Sequence, residues 1–433
     1  MTHLRLDSRS NDFAQRFGDL VDASRETPEE VDQAAARILA DVRARGDAAL
    51  IEYTSRFDRF DVAAKGLAIT AEEIDAAVAA CPKDTLAALD VAASRIESFH
   101  RTQMPQDVDY RDEAGVRLGA RWTPIDAAGL YVPGGTAAYP SSVLMNALPA
   151  KVAGVKRLVM VVPTPDGITS PLVLAAARRA GIDEIYRVGG AQAVAALAYG
   201  TATIRPVDKI TGPGNAYVAA AKRRVFGTVG IDTIAGPSEI LVVADNRNDP
   251  AWIAIDLLSQ AEHDTAAQAI LITDNADFAA KVEAAIEAHL LNLPRRDIAG
   301  ESWRRHGAII VVGSMGEAPA LIDRLAPEHL ELAVENPEDL ASKVRHAGAI
   351  FLGRWTPEAI GDYVAGPNHV LPTSRTARFS SGLGVIDFLK RTSFVACDER
   401  SIGVIGPAAC ALAATEGLDA HRLSVALRLG KQA

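Results

Sequence analysis

Between about residues 125 and 360, short apolar runs of strand length alternate with segments of helical period, and this alternation restricts the chain to layered α/β architectures built from βαβ units. Strands are predicted at 128–132, 158–162 and 185–188, with helices at 142–153, 171–180 and 193–199. A second series follows, with strands at 239–244, 269–273, 308–312 and 349–352. Its helices fall at 250–263, 277–291, 316–325 and 337–345, with a further helix start at Thr356-Pro357-Glu358. Two similar open, largely parallel sheets are therefore expected, although no residue-level repeat relates them. Ligands are expected beyond the strand C-termini.

The first hundred residues read differently. Thr27-Pro28-Glu29-Glu30 and Thr70-Ala71-Glu72-Glu73 carry capping-box signals ahead of long helical stretches, and residues 1–22 read as a separate small arm. After about Gly384 the pattern loses regularity, and 415–433 reads as a short helix in a small extra domain. At 433 residues and 48% hydrophobic content, the chain can bury the cores of two or more domains. Lys and Arg total 45 against 55 Asp and Glu, and the formal charge of -10 argues against nucleic acid or an anionic membrane as a partner. The opening residues lack the apolar core of a secretory signal and no apolar run reaches membrane-spanning length, so a cytoplasmic protein is expected. Cys81, Cys397 and Cys410 lack metal-type spacing; any metal must use nitrogen and oxygen ligands.

Several short motifs bear on chemistry. Gly129–Gly135, Gly189-Gly190-Ala191-Gln192 and Gly212-Pro213-Gly214-Asn215 each lie between a strand and a helix. Such loops either punctuate turns or offer backbone N–H groups to the phosphates of a dinucleotide. Gln260 and His263 stand three apart at the end of a helix, where they either cap it or grip a cation from one face. In Ala326-Pro327-Glu328-His329 the proline suits the first turn of a new helix, whose partial positive charge would keep Glu328 ionised and His329 neutral, ready to act as a base. Asp362, His369 in Gly366-Pro367-Asn368-His369, and Glu416 with His421 add carboxylates and imidazoles nearer the C-terminus.

In this order, these segments resemble the histidinol dehydrogenase family over nearly the whole chain, from Val42-Arg43-Ala44-Arg45-Gly46-Asp47 and Tyr53–Asp58 through Gly236-Pro237-Ser238-Glu239 to Glu416–His421. The resemblance implies an NAD- and zinc-dependent oxidation of L-histidinol through the aldehyde to L-histidine. It places one zinc per subunit on Gln260, His263, Asp362 and His421, and NAD near Tyr131, Gln192 and Asn215. Substrate is placed near Ser238, Gln260, His263, His329, Asp362, His369, Glu416 and His421, with Glu328 and His329 as catalytic residues.

The fold implied is two open, largely parallel, incomplete Rossmann-like α/β domains with small terminal segments. In this division 1–22 form an arm, 23–130 with 238–383 form the domain carrying metal and catalytic residues, 131–237 bind NAD, and 384–433 form a small C-terminal domain. The family is a homodimer whose C-terminal segment reaches the partner's site, so Glu416 and His421 would act in trans. The rivals are a zinc hydrolase with Glu328 activating water, a metal-dependent binding protein for imidazole-bearing ligands, and a paralogous zinc- and NAD-dependent alcohol dehydrogenase acting on another substrate.

Overall fold

The computed structural model describes residues 3–23, 29–134, 139–182, 184–234 and 236–430. Its apolar runs form two parallel sheets. In one, five strands lie in the order Glu184–Tyr186, Arg157–Val161, Ala127–Tyr131, Lys209–Thr211 and Gly230–Ile231. In the other, six strands lie in the order Leu4–Asp7, Ala308–Val311, Gln268–Thr273, Glu239–Ala244, His329–Ala333 and Ala349–Leu352. Strands such as Glu239–Ala244 and Gln268–Thr273 are buried along their whole length, because helices cover both faces of a parallel sheet. The predicted strands and helices of both series are present with ends shifted by a few residues.

Three expectations about organisation are corrected. The first concerns residues 1–22, which are no separate arm. Leu4–Asp7 pairs in parallel with Ala308–Val311 at the edge of the six-stranded sheet, and Phe17 and Val21 of helix Phe13–Asp22 enter the core beneath it. Four extended residues gain stability only by joining a sheet, and this edge was free to accept them.

The second concerns 23–130, whose described helices cover the five-stranded sheet and touch 238–383 only at the segment after Tyr363, where Arg95 bonds Val364 O and Ala365 O. Ala35, Ile38, Leu39 and Val42 of helix Glu29–Arg45 join Val159, Val161 and Leu197 on one face. Leu89, Ala93 and Ile96 of helix Lys83–Arg101 join Leu130, Leu144 and Met160 on the other. Strand Ala127–Tyr131 itself spans the expected boundary at residue 130. The Thr70–Glu73 capping box forms as expected, whereas Thr27 and Pro28 lie outside the described residues.

The third concerns the tail. Leu389–Ala396 pairs antiparallel with Arg117–Pro124, which also pairs with Val108–Arg111, giving a three-stranded sheet that the sequence pattern did not suggest. Beyond it, helices Glu399–Thr415 and Asp419–Arg428 pack as a hairpin that leaves Val404, Leu412 and Leu427 exposed. Among the described residues, no helix is long and apolar enough to cross a membrane.

Phe17 is fully buried and stacks on Phe13 beneath the Arg324 guanidinium. Phe17→Ala is expected to lower the unfolding free energy by about 3–5 kcal/mol, measured by urea denaturation. A loss of about 0.5 kcal/mol, typical of surface substitutions, would show that the N-terminal segment lies outside the core.

Candidate active site

The two sheets meet through the segment that follows helix Glu358–Tyr363. Asn368 Nδ2 donates to Met145 O at 2.6 Å, and Ser142 Oγ lies 3.3 Å from His369 Nε2, both on helix Pro140–Ala153 of the five-stranded unit. On the other side, Ser374 N–H donates to Glu239 Oε1 at 3.1 Å and Gly236 N–H to Thr373 Oγ1 at 2.6 Å. The glycine loops lie beyond strand C-termini, as expected. The histidine and carboxylate cluster does not: Glu239 and His329 are the first residues of their strands, so this part of the site is built on the N-terminal edge of the six-stranded sheet.

Glu328 and His329 do not open a helix. Helix Ala318–Leu325 ends at Ala326 in the left-handed conformation (φ 46°), and the chain then runs extended into strand His329–Ala333. Pro327 O and Glu328 O accept from Gly348 N and Ala349 N at 2.9 Å each, so ladder pairing with the neighbouring strand overrides the helix-start signal of the proline. Glu328 Oε2 accepts from Glu239 N–H at 2.9 Å and lies 3.6 Å from His329 Nδ1.

One carbonyl orients two side chains. Glu239 O lies 2.9 Å from His329 Nδ1 and 3.3 Å from Gln260 Nε2, which are themselves 2.8 Å apart. A carbonyl oxygen has two lone pairs and can accept from both. His329 Nε2 and Gln260 Oε1 are then turned away from it, and both are buried without a hydrogen-bond partner. Glu358 Oε1, also buried and unpartnered, lies 3.7 Å from His329 Nε2. Asp362 Oδ1 is 3.5 Å from His369 Nδ1, which donates to Asp362 O at 3.1 Å. Gly366, at φ 118°, lets the loop between them pass against Arg95 O.

Burial dominates the electrostatics. It pushes the Glu328 carboxyl well above its ordinary value, helped by the negative charges of Glu239 and Asp362, so the surroundings oppose the ionised form that a helix terminus was expected to favour. Burial also lowers the His329 pKa, and the ring is neutral as expected, but desolvation and not a helix terminus is the cause. Glu358 is pushed up to about 9 by burial and by the charge of Asp362, four residues along the same short helix. Burial opposes ionisation of Asp362 too, yet hydrogen bonding from His369 and the nearby imidazoles outweigh it and hold Asp362 below the usual carboxylate range.

Ligand atoms of His329, Glu358 and Asp362 lie within 4.8 Å of one another, an all-N/O group that suits a borderline divalent metal. Of the four expected ligands, Asp362 belongs to this group, and Gln260, with its Oε1 unpartnered, touches it through His329 Nδ1. His263 lies past the end of helix Pro250–Ala261; the residue is exposed, but its imidazole has protein on most sides and senses the Asp362 charge. It therefore does not share a helical face with Gln260. Glu416 and His421 are exposed on the C-terminal hairpin and make no hydrogen bond or ion pair with the cluster of their own chain. Ser238, half-buried, immediately precedes Glu239.

The glycine loops interlock. Tyr131 Oη accepts from Gly190 N–H at 3.0 Å, and burial raises the phenol to about 12. Gln192 is buried with its Oε1 unpartnered, and Asn215 caps helix Ala216–Val225 by accepting from Tyr217 N and Val218 N. Gly135 lies outside the described residues. The unpartnered amide oxygen and the close-packed glycines suit a nucleotide lying along the loops. Sequence reasoning missed Glu358, Glu239 and Ser142. Only Glu358 left a usable signal, since Glu358 and Asp362 stand at i,i+4 on one helix face.

With that geometry in hand, comparison with known proteins is decisive. The family model described as histidinol dehydrogenase matches residues 21–429. This chain belongs to the histidinol dehydrogenase family. Its membership makes it an oxidoreductase. Histidinol dehydrogenase of Rhodospirillum rubrum is 67% identical over 429 residues, covering 99% of each chain, and that of Ruegeria pomeroyi is 63% identical over 426 residues, covering 98% of each. The crystal structure of histidinol dehydrogenase from Elizabethkingia anophelis superposes with a TM-score of 0.94 at 36% identity, covering 99% of this chain and 98% of that one.

The protonated state of Glu358 has a measurable consequence. A carboxyl whose folded pKa is raised binds more protons folded than unfolded, so it costs stability as pH rises from its ordinary 4.5 toward about 9. Glu358→Gln mimics the protonated acid and is expected to lie within about 1 kcal/mol of the metal-free wild type at neutral pH. It should then gain on the wild type as pH rises, in thermal or urea unfolding. A pH-independent difference would show that Glu358 is ionised.

Proposed function

We propose that the chain catalyses the zinc- and NAD-dependent oxidation of L-histidinol through L-histidinaldehyde to L-histidine, completing histidine biosynthesis in the cytoplasm as a homodimer. Family membership together with the unpaired, buried His329 Nε2 beside Glu358 and Asp362, and the unpaired, buried Gln260 Oε1, carries this reading. A zinc hydrolase would not need the interlocked loops of Tyr131, Gln192 and Asn215, and the full-length match to dehydrogenases disfavours it.

When bound, zinc would orient the imidazole and amino nitrogens of the substrate and NAD would accept the hydride of each oxidation. Gln260, His263 and Asp362 would hold the metal together with His421 of the partner subunit. Tyr131, Gln192 and Asn215 would line the nicotinamide cofactor, and Ser238, His369 and Glu416 of the partner subunit the substrate.

His329 Nε2 takes the alcohol proton. The neutral ring offers its lone pair there because Nδ1 donates to Glu239 O, and Ser142 and Asp362 fix His369 beside it. Glu328 then removes a proton from the water that adds to the aldehyde. Its raised pKa makes it a stronger base than an ordinary carboxylate once it has lost its own proton, so the second oxidation should quicken with pH more steeply than the first. Holding the aldehyde in a buried site between the two oxidations keeps a reactive carbonyl from escaping.

The wild type should form two reduced cofactors per L-histidinol consumed, an output abolished by a chelator and restored by zinc. Glu328→Gln should stall after the first oxidation and approach one reduced cofactor per substrate. Equal loss of both oxidations would refute this division of labour, and a wild type that forms no reduced cofactor would refute the dehydrogenase activity.

Sharing of sites between subunits accounts for a hairpin that exposes Val404, Leu412 and Leu427 and carries Glu416 and His421 away from its own cluster. Mixing inactive Asp362→Ala and His421→Ala chains should regain up to about a quarter of wild-type activity, since random pairing makes half of the dimers mixed and each mixed dimer holds one intact site. No recovery after verified subunit exchange would show that each chain completes its own site.

A further inference from the structure

The loop 212–215 is held from behind by a buried ion pair. Lys222, on the second turn of helix Ala216–Val225, pairs with Asp232, which follows strand Gly230–Ile231, and both side chains are 2% exposed. Their remaining bonds converge on one residue, Gly212, and fix the peptide units on either side of it. Lys222 Nζ donates to Gly212 O at 3.0 Å, while Gly212 N–H donates to Asp232 Oδ2 at 2.7 Å. Asp232 N–H in turn donates to Ile210 O at 3.2 Å, tying the pair to the sheet. Gly212 has φ 111°, and a Cβ on it would overlap the Tyr131 carbonyl oxygen, so the clamped residue lies against the Tyr131 backbone, three residues before the Asn215 cap.

For packing alone this arrangement is a poor choice. Removing two charges from water costs about as much as their attraction returns, and an apolar pair of similar volume would join helix to strand equally well. What an apolar pair could not do is hold both the N–H and the C=O of Gly212 in fixed directions. We infer that Lys222 and Asp232 are positioning residues for the dinucleotide: they fix the two peptide units flanking Gly212 so that Tyr131 and Asn215 present one preorganised surface to the cofactor. This rests on the proposed placement of NAD at Tyr131, Gln192 and Asn215.

The test is NAD binding to the zinc-loaded enzyme by isothermal titration calorimetry, alongside thermal unfolding and titration with L-histidinol. The double variant Lys222→Met/Asp232→Asn removes both charges, leaves no unpaired ion, and keeps an acceptor for Gly212 N–H. It should melt within about 5 °C of the wild type and bind L-histidinol with wild-type affinity. Its NAD Kd should rise by about tenfold or more. Asp232→Glu keeps the ion pair but displaces the acceptor by one methylene; it should also weaken NAD, and it decides the matter if the double variant does not fold. A folded variant of either kind with the wild-type NAD Kd would overturn the inference while leaving the cofactor site intact. A wild type that binds no NAD would instead overturn the cofactor placement, and this inference with it.

Discussion

Glu328, His329, Gln260 and Ser374 are all bonded to Glu239. Its N–H holds the Glu328 carboxyl, its C=O faces both His329 Nδ1 and Gln260 Nε2, and its side chain accepts from the Ser374 backbone. As the first residue of a central, fully buried strand, Glu239 has a backbone fixed by the sheet. Glu328, His329, Gln260 and the segment that reaches the other unit are thereby set against one residue's rigid backbone. This anchor lies where a strand begins, and the cluster is linked to the five-stranded unit through Ser142 and Met145 of helix Pro140–Ala153, which follows the strand Ala127–Tyr131.

The same burial that makes this anchoring rigid sets the chemistry. Desolvation keeps His329 neutral, raises the carboxyls of Glu328 and Glu358, and leaves Asp362 as a carboxylate that its imidazole neighbours hold ionised. Acidic groups and imidazoles can then share a dry site with less uncompensated charge. The orphaned atoms of Gln260, His329 and Glu358 are the remaining cost, a deficit that a bound metal and substrate would make good.

Much of this was legible in the sequence. Most strands and helices of both parallel sheets follow from apolar runs and capping signals that act over a few residues, although Leu4–Asp7, Lys209–Thr211, Gly230–Ile231 and His329–Ala333 do not, and the order of the short motifs carried the family. Four of the residues that meet in the cluster, Gln260, His329, Asp362 and His369, were found because imidazole, amide and carboxylate groups stood out beside turns. The mistaken readings share one physical origin, since each depended on what a segment packs against. Leu4–Asp7 is a strand only because an edge was available, Pro327 begins no helix because Gly348 and Ala349 pair with its carbonyl and its neighbour's, and 29–101 cover the sheet whose faces match their apolar stripes.

By itself the sequence determined the α/β class, most of the element succession, the family and the types of side chain available for chemistry, because those depend on local periodicity and residue identity. Only the tertiary structure decided that Glu358 and Glu239 stand beside the expected residues, that Glu328 and His329 enter a strand, and that Glu416 and His421 lie apart from their own chain's cluster. Those properties come from burial and from contacts between segments distant in the chain, and no local pattern encodes either.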